Sequence, residues 1–407
     1  MKPILSIFFV SIILISCNKH SNENQPETPT LKFDLDFSPV KTLSKDYALS
    51  LNELADSISF VKLETGKDFL IKNISWIEQF NNLLYIIDKE LNQLFVFDMN
   101  GRFKFQLVTK GKGPTDILDL TDFTIDRNNN LVYIWDNALR KIIIFDAKND
   151  AYLDQFKIDG VCHSFLSYGK DSFLVYTGLR PNKGINSDLE HNVFMMTKDG
   201  KIINKYLPID KYQAYMGVGY VKFSSYNDLP LIVPDYTNTV YQINKDRCSP
   251  RYYLDFGKNN FPQDLFKEYN KEPDNLKARL NCQTKLFQDI IRKGKYVHSI
   301  NKYLETDNVI YFNFFCNEEY FCLLYNKKNK THLLRRGIKL YLDNALIAMY
   351  PTLFKIERNC LISFTTSSLL RDCFKDKNIT NLKYKELYEK TSPTDNPILF
   401  IMHLKNK

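Results

Sequence analysis

The sequence predicts an all-β chain folded as a β-propeller, and three observations carry that expectation. A 16-residue pattern occurs twice, 48 residues apart: 83–98 read LLYIIDKELNQLFVFD and 131–146 read LVYIWDNALRKIIIFD. Leu83, Tyr85, Ile86, Asp88, Leu91, Phe97 and Asp98 recur as Leu131, Tyr133, Ile134, Asp136, Leu139, Phe145 and Asp146. A repeat of this length that reads as short strands and tight turns fits a propeller blade. Strand formers are abundant, with 30 Phe and 25 Tyr against 14 Gly, which favours pleated, half-buried surfaces. Asn100-Gly101, Asn128-Asn129-Asn130 and Asp199-Gly200 fall between the apolar runs, where residues that tolerate left-handed backbone make hairpin turns.

Taken in order, each blade needs four antiparallel strands, A to D, from the axis outward. Blade 1 reads near 73–78, 83–88, 93–98 and 103–108; blade 2 at 121–126, 131–136, 141–146 and 152–158. Blade 3 follows at 162–168, 172–177, 192–197 and 201–207, and blade 4 at 220–226, 229–234, 238–244 and 250–256. Blade 5 reads at 297–304, 309–315, 320–326 and 330–336. Blade 6 supplies only 352–357, 360–365 and 397–404. The unassigned strand ISFVKLE, 58–64, completes it, so an N-terminal strand closes a six-bladed ring and covers an otherwise open edge. Apolar positions at helical spacing in 262–292 (Leu265, Phe266, Tyr269; Leu286, Phe287, Ile290) predict two short helices between blades 4 and 5, and 380–390 predict another.

The amino terminus points to the cell envelope. Lys2 precedes an apolar run, 4–15, too short to span a bilayer and typical of a signal peptide. Leu14-Ile15-Ser16-Cys17 resembles a bacterial lipobox, in which the Cys17 thiol is acylated and the chain is cut before it. The division expected is a signal peptide at 1–16, a lipid anchor and tether at 17–49, and the propeller at 50–407. Residues 18–31 are polar and read as a disordered tether. Asn18 stands where Asp would mark inner-membrane retention, so the expected address is the outer membrane or cell surface, with the leaflet left open.

The order VKLET (61–65), LFVFDMNGRF (94–103), KGKGP (110–114), the second repeat and the terminal NPILFIMHLK (396–405) resembles the six-bladed β-propeller lipoproteins of Bacteroidota, relatives of NHL-type propellers. The likeness spans about 50–405 and is strongest in blades 1 and 2 and at both ends. Thr115-Asp116 stand where that family often has Gly-Glu after GKGP.

Chemistry is less legible than fold. Net charge is +8, but Lys and Arg are interspersed with Asp and Glu, which reads as a solvated surface without a nucleic-acid partner. Seven cysteines follow Cys17, an odd number without CxxC or zinc-ribbon spacing. Buried free thiols are expected, with Cys316 and Cys322 the pair a hairpin could bring together. GxSxG, HExxH and HxH are absent, and KGKGP lacks phosphate-loop spacing. The long connections, at 178–191, 257–296, 337–349 and 366–396, all belong to the B–C and D–A set, hence to one face. Binding residues tend to sit on such loops.

Candidates on that face are Asp88, Asp136 and Asp235, each ending a B strand, and Arg140, Arg180, Arg292 and Arg371. The aspartates either form a carboxylate ring or cap their own turns. Arg140, Arg180 and Asp136 are the first to test. His163 and His298 start two A strands and are the only pair for a channel metal, as NHL-like lyases have; no cofactor is expected. The reading is therefore a monomeric, membrane-anchored module that binds a ligand or envelope protein, with a glycan- or peptide-directed hydrolase or lyase as the alternative.

Overall fold

The computed structural model describes residues 28–37, 48–111, 113–169, 171–182, 190–217, 222–272, 274–343, 345–349, 354–357 and 360–405. The signal segment, Cys17 and the first part of the tether lie outside the described residues, as do 183–189 of the blade 3 insertion and the 358–359 turn.

The chain begins with β1 (Thr30–Lys32), β2 (Leu49–Ser50), α1 (Leu51–Leu54) and β3 (Ala55–Lys62). Four-stranded meanders then follow. The first is β4 (Trp76–Phe80), β5 (Leu83–Asp88), β6 (Gln93–Asp98) and β7 (Phe103–Val108). The second is β8 (Leu120–Asp126), β9 (Leu131–Asp136), β10 (Lys141–Asp146) and β11 (Tyr152–Lys157). The third is β12 (Ser164–Tyr168), β13 (Ser172–Tyr176), β14 (His191–Thr197) and β15 (Ile202–Pro208). The fourth is β16 (Ser224–Tyr226), β17 (Leu229–Ile232), β18 (Thr239–Ile243) and β19 (Cys248–Asp255). Next come α2 (Leu265–Tyr269) and α3 (Leu276–Lys285), which continues as a π-helical turn, Leu286–Arg292. The fifth meander is β20 (Ile300–Glu305), β21 (Val309–Cys316), β22 (Glu319–Asn326) and β23 (Thr331–Arg335), followed by β24 (Ile338–Leu342) and β25 (Ala345–Met349). Last are β26 (Phe354–Glu357), β27 (Cys360–Thr365), α4 (Ser367–Phe374), α5 (Leu382–Glu389) and β28 (Ile398–Leu404).

The last sheet has the order β26-β27-β28-β3, with Ile398 opposite Lys62 and Phe400 opposite Phe60, so the early strand supplies its outer edge. The architecture is propeller-like and its strand limits follow the sequence expectation to within a few residues. The reason is visible in the burial pattern. Middle strands such as β5 and β9 are covered on both faces by neighbouring sheets, so they read as continuous apolar runs. Outer strands such as β11 are mostly solvated. Apolar clusters fill the space between successive meanders, and Phe354, Ile362 and Leu399 of the last pack with Ile77, Leu84 and Phe95 of the first.

The repeated residues are the joints. Tyr85 donates its hydroxyl to the carbonyl of Ala147, the residue after β10 in the next meander. Its counterpart Tyr133 lies 5.0 Å beneath the ammonium of Lys198, the residue after β14 one meander further on. The same position thus fastens each of the first two meanders to its successor.

Three regions differ from expectation. Thr30 and Leu31, read as tether, belong to β1, which runs parallel to β19 with Leu31 opposite Leu254. Composition hid a period of two in LKFDLDF: Phe33 is buried against Phe256, Phe312 and His332. The 337–349 insertion is a hairpin, β24–β25, and β2 extends it in parallel, Leu49 opposite Ile338. The 366–396 insertion contains α4 as well as the expected helix α5; Thr366 caps α4 by accepting from Leu369 N–H. Cys316 and Cys322 are both buried free thiols; the other five cysteines after Cys17 are free as well, with Cys162, Cys282 and Cys360 buried and Cys248 and Cys373 half-buried.

Candidate functional site

The insertion between β19 and β20 builds a cleft of about 820 Å³ on the loop-rich side. Its floor is Met216, Gly217, Ser299 and Asn301; its walls are Tyr236, Leu286, Phe287 and Phe315; Arg292 and Glu318 stand at the rim. Two local features shape it. A Cβ on Gly217 would sit 2.2 Å from the Gly178 carbonyl oxygen, so only glycine allows that approach. The π-helical turn carries Phe287 and Arg292, and such turns are rare and recur at functional sites.

Tyr236 is the rigid corner. Its hydroxyl donates to the Met216 carbonyl at 2.7 Å, its N–H donates to the His298 carbonyl, and its ring packs tilted against Phe261 at 4.8 Å and edge-to-face against Phe266 at 4.9 Å. His298 is 7% exposed, and burial lowers its imidazole pKa to about 4 against a small opposing pull from the Tyr296 carbonyl, so the ring is neutral at physiological pH. Among the described residues neither His298 Nδ1 nor Asn301 Oδ1 has a hydrogen-bond partner, although both are buried. A buried polar atom left unmatched costs about 1–3 kcal/mol, so the cleft presents two polar atoms that a ligand or water would satisfy. Phe287 and Phe315 are about half exposed, at 53% and 46%, which leaves apolar surface facing the same space. Arg292 and Glu318 pair at 3.2 Å in solvent, a contact worth little by itself.

A second constellation lies where the inner strands converge. The Lys222 and Lys302 ammonium groups each lie 4.3 Å from the Trp76 ring, and Lys302 is also 4.3 Å from that of Phe354. Lys222 pairs with Asp122, whose two oxygens also take the N–H groups of Phe123 and Phe165. Bulges place these groups. Between Asn301 and Leu304 two residues of β20 oppose one of β21, and Lys302 takes a left-handed φ of 51°. Burial, then Lys222 and Lys89, hold the Lys302 amine well below its ordinary pKa. Burial and then Lys89 likewise bring His163 to about 4. Glu78 is near, but it is paired with Arg127 at 3.1 Å.

The expected residues distribute as follows. Asp88 is fully buried and accepts from the N–H groups of Lys72, Asn73 and Leu91; Asp136 does the same with Leu118 and Leu139. Their carboxylates therefore face their own turns. Asp235 borders the cleft floor and accepts from Tyr176 Oη at 3.1 Å. Arg292 and His298 line the cleft. Arg140 and Arg180 are exposed, outside the cleft lining, and Arg180 acts on His163 from a distance. Arg371 is committed to the carbonyls of Tyr388 and Thr391. His163 and His298 have separate neighbours, and among the described residues no three His, Cys, Asp or Glu are placed to hold a metal. Sequence reasoning missed Trp76, Asp122, Lys222 and Lys302, although a lysine inside an inner strand (NKYLE) was a usable signal. Phe287 was read only as a helix position, and Phe315 only as part of a strand.

A family model described as a domain of unknown function, DUF4934, matches residues 35–403. No curated protein matches. An exported-protein candidate from Bacteroides fragilis is 19% identical, with a TM-score of 0.72 over 93% of this chain and 100% of that one. A member of the DUF4221 family from Bacteroides vulgatus is 11% identical, with a TM-score of 0.50 over 87% of this chain and 98% of that one. At these identities the likeness is one of fold alone.

Proposed function

We infer that this chain, which belongs to the DUF4934 family, is a lipid-anchored binding module of the cell envelope: a six-bladed propeller, closed by β3, that captures a neutral ligand in the cleft beside α3. The observation that carries the reading is the cleft itself. Its volume falls in the range of small-molecule sites, its walls are aromatic, and it offers His298 Nδ1 and Asn301 Oδ1 unmatched. A neutral imidazole gives one donor and one acceptor, and an amide gives both. That combination suits an uncharged ligand with an apolar face and several hydroxyls or amides, as a sugar ring has. Helical insertion and inner strand both contribute, so the site is held on a rigid scaffold.

Titration calorimetry against neutral mono- and oligosaccharides tests this. His298→Ala and Phe287→Ala are each expected to weaken binding about tenfold or more, near 1.4 kcal/mol. Phe287→Ala should leave the melting midpoint almost unchanged, because the ring is already half exposed. Failure of every sugar to bind, or wild-type affinity in both variants, sinks the reading.

The envelope address rests on the lipobox-like LISC at 14–17 and agrees with the exported description of the Bacteroides fragilis neighbour. Two or more acyl chains make a firm anchor, since each buried methylene contributes about 0.8 kcal/mol. Cys17→Ser is expected to move the protein out of the membrane fraction. Membrane retention with an unchanged cleavage pattern would argue against the anchor.

A further inference from the structure

We propose that the space between the inner strands is a second site, one that binds an oxyanion: Lys302, Lys222 and Lys89 gather on a phosphate, sulfate or carboxylate group beside Trp76. Geometry fixes a charge imbalance there. Two ammonium groups share the Trp76 ring at 4.3 Å each. The Lys89 side chain comes from the turn after β5 and is close enough to act electrostatically on both Lys302 and His163. Against these cations stands Asp122, already divided between Lys222 and the N–H groups of Phe123 and Phe165. Glu78 is taken up by Arg127. Neither Lys302 nor Lys89 has a carboxylate partner among the described residues.

Two recessed lysines elsewhere have an anion of their own, whereas the buried Lys141 rests on the Gly113 and Pro114 carbonyls. Lys198 has Asp126 at 2.7 Å and Lys327 has Glu305 at 2.8 Å, each lysine about one-fifth exposed. Lys302 lacks one, and its amine is driven toward the neutral form by burial and by the other two cations. An anion placed among the three would offset the repulsion between the cations and give the buried amine a charge partner, and charge-assisted hydrogen bonds to ammonium groups are the strong kind. The aromatic faces of Trp76 and Phe354 hold the lysines in place meanwhile, a role suited to cation–π contacts. The site is independent of the cleft, whose unmatched groups are neutral.

The probes are sodium sulfate, sodium phosphate and sodium glucuronate, titrated at constant ionic strength with chloride as the balancing ion. Trp76 reports directly, because the other tryptophan, Trp135, is fully buried in the second meander. Saturable binding by at least one probe is expected, with affinity about tenfold lower or worse in Lys302→Met and in Lys222→Met. The melting midpoint of Lys302→Met should hold or rise, since an unmatched recessed cation is removed. Phe287→Ala, which disturbs the cleft, should leave anion affinity unchanged, so this site and the sugar reading fail separately. Preference for sulfate or phosphate would identify a free ion, and preference for glucuronate an acidic sugar. Absence of saturable binding by all three, or equal affinity in Lys302→Met, overturns the proposal. Should that variant not fold, an unchanged affinity in Lys89→Met and Lys222→Met overturns it equally.

Discussion

A chain lacking residues 50–64 is expected to lose cooperative folding altogether. The deletion removes β3, the outer partner of β28, along its whole length from Ile398–Lys62 to Leu404–Ala55. It also removes Leu51, Ala55, Val61 and Leu63, all buried, and their burial contributes on the order of 5–10 kcal/mol. That is comparable to the whole stability of an ordinary domain, about 5–15 kcal/mol. The loss spreads to the first meander as well. Glu64 N–H donates to the Gly101 carbonyl and Glu64 accepts from Phe103, while Asn396 holds the Glu64 carbonyl, the Phe69 carbonyl and Ile71 N–H. Urea unfolding and amide exchange measure the outcome: β28 should lose its protection first. A deleted chain that unfolds at the same midpoint as the full one would mean that β3 does not complete the last sheet.

How far the fold could be read from residues depended on which physical signal each segment carries. The meanders were legible because strand runs and turn residues alternate at a fixed interval, and because Tyr85 and Tyr133 repeat at a position that reaches the next sheet. The supporting strands β1, β2, β24 and β25 were not, because they pair outside the repeat and two of them pair in parallel over only two or three residues. Composition argued for a loose tether up to residue 31, yet the alternation of Leu31, Phe33, Leu35 and Phe37 is the stronger signal once a neighbouring sheet edge, β19, is known to be open.

The site was legible only in outline. Loop lengths pointed to the side that carries the cleft, and Arg292 and His298 line that cleft. The aspartates that looked most like ligands, Asp88 and Asp136, take backbone N–H groups instead, since a buried turn must satisfy its own donors. The two lysines over Trp76 come from separate meanders, Lys222 from the entry to the fourth and Lys302 from the fifth. No spacing in the sequence ties them together, because only tertiary closure of the strands and the bulge at Lys302 bring them to one ring.

Glu305→Gln is expected to cost about 3 kcal/mol at neutral pH, the second large effect, and to do so without touching the cleft. Glu305 ends β20 at the short-turn side and is fully buried. Arg251 grips it at 2.9 and 2.7 Å, Lys327 at 2.8 Å and Tyr303 Oη at 3.1 Å, so the fourth and fifth meanders are bolted through one carboxylate. The glutamine leaves two recessed cations facing a neutral group, the case in which a broken buried pair costs about 3–5 kcal/mol. The lower end applies because Arg251 and Lys327 are each about one-fifth exposed and can partly rehydrate. Burial pushes the Glu305 pKa up, but the bonds to Arg251 and Lys327 outweigh it and the net direction is down. A depressed folded pKa means the stabilisation is present above the unfolded value, about 4.3, and is lost as pH falls through the folded value. The gap between wild type and Glu305→Gln should therefore be widest at pH 7 and should close in strongly acidic buffer. Replacing Glu305, Arg251 and Lys327 together by methionine should cost far less than Glu305→Gln alone, because no charge is left unmatched. Urea midpoints of the three proteins at pH 7 decide it: a triple variant as unstable as the single one would mean that shape, and not the charge pairing, makes Glu305 matter.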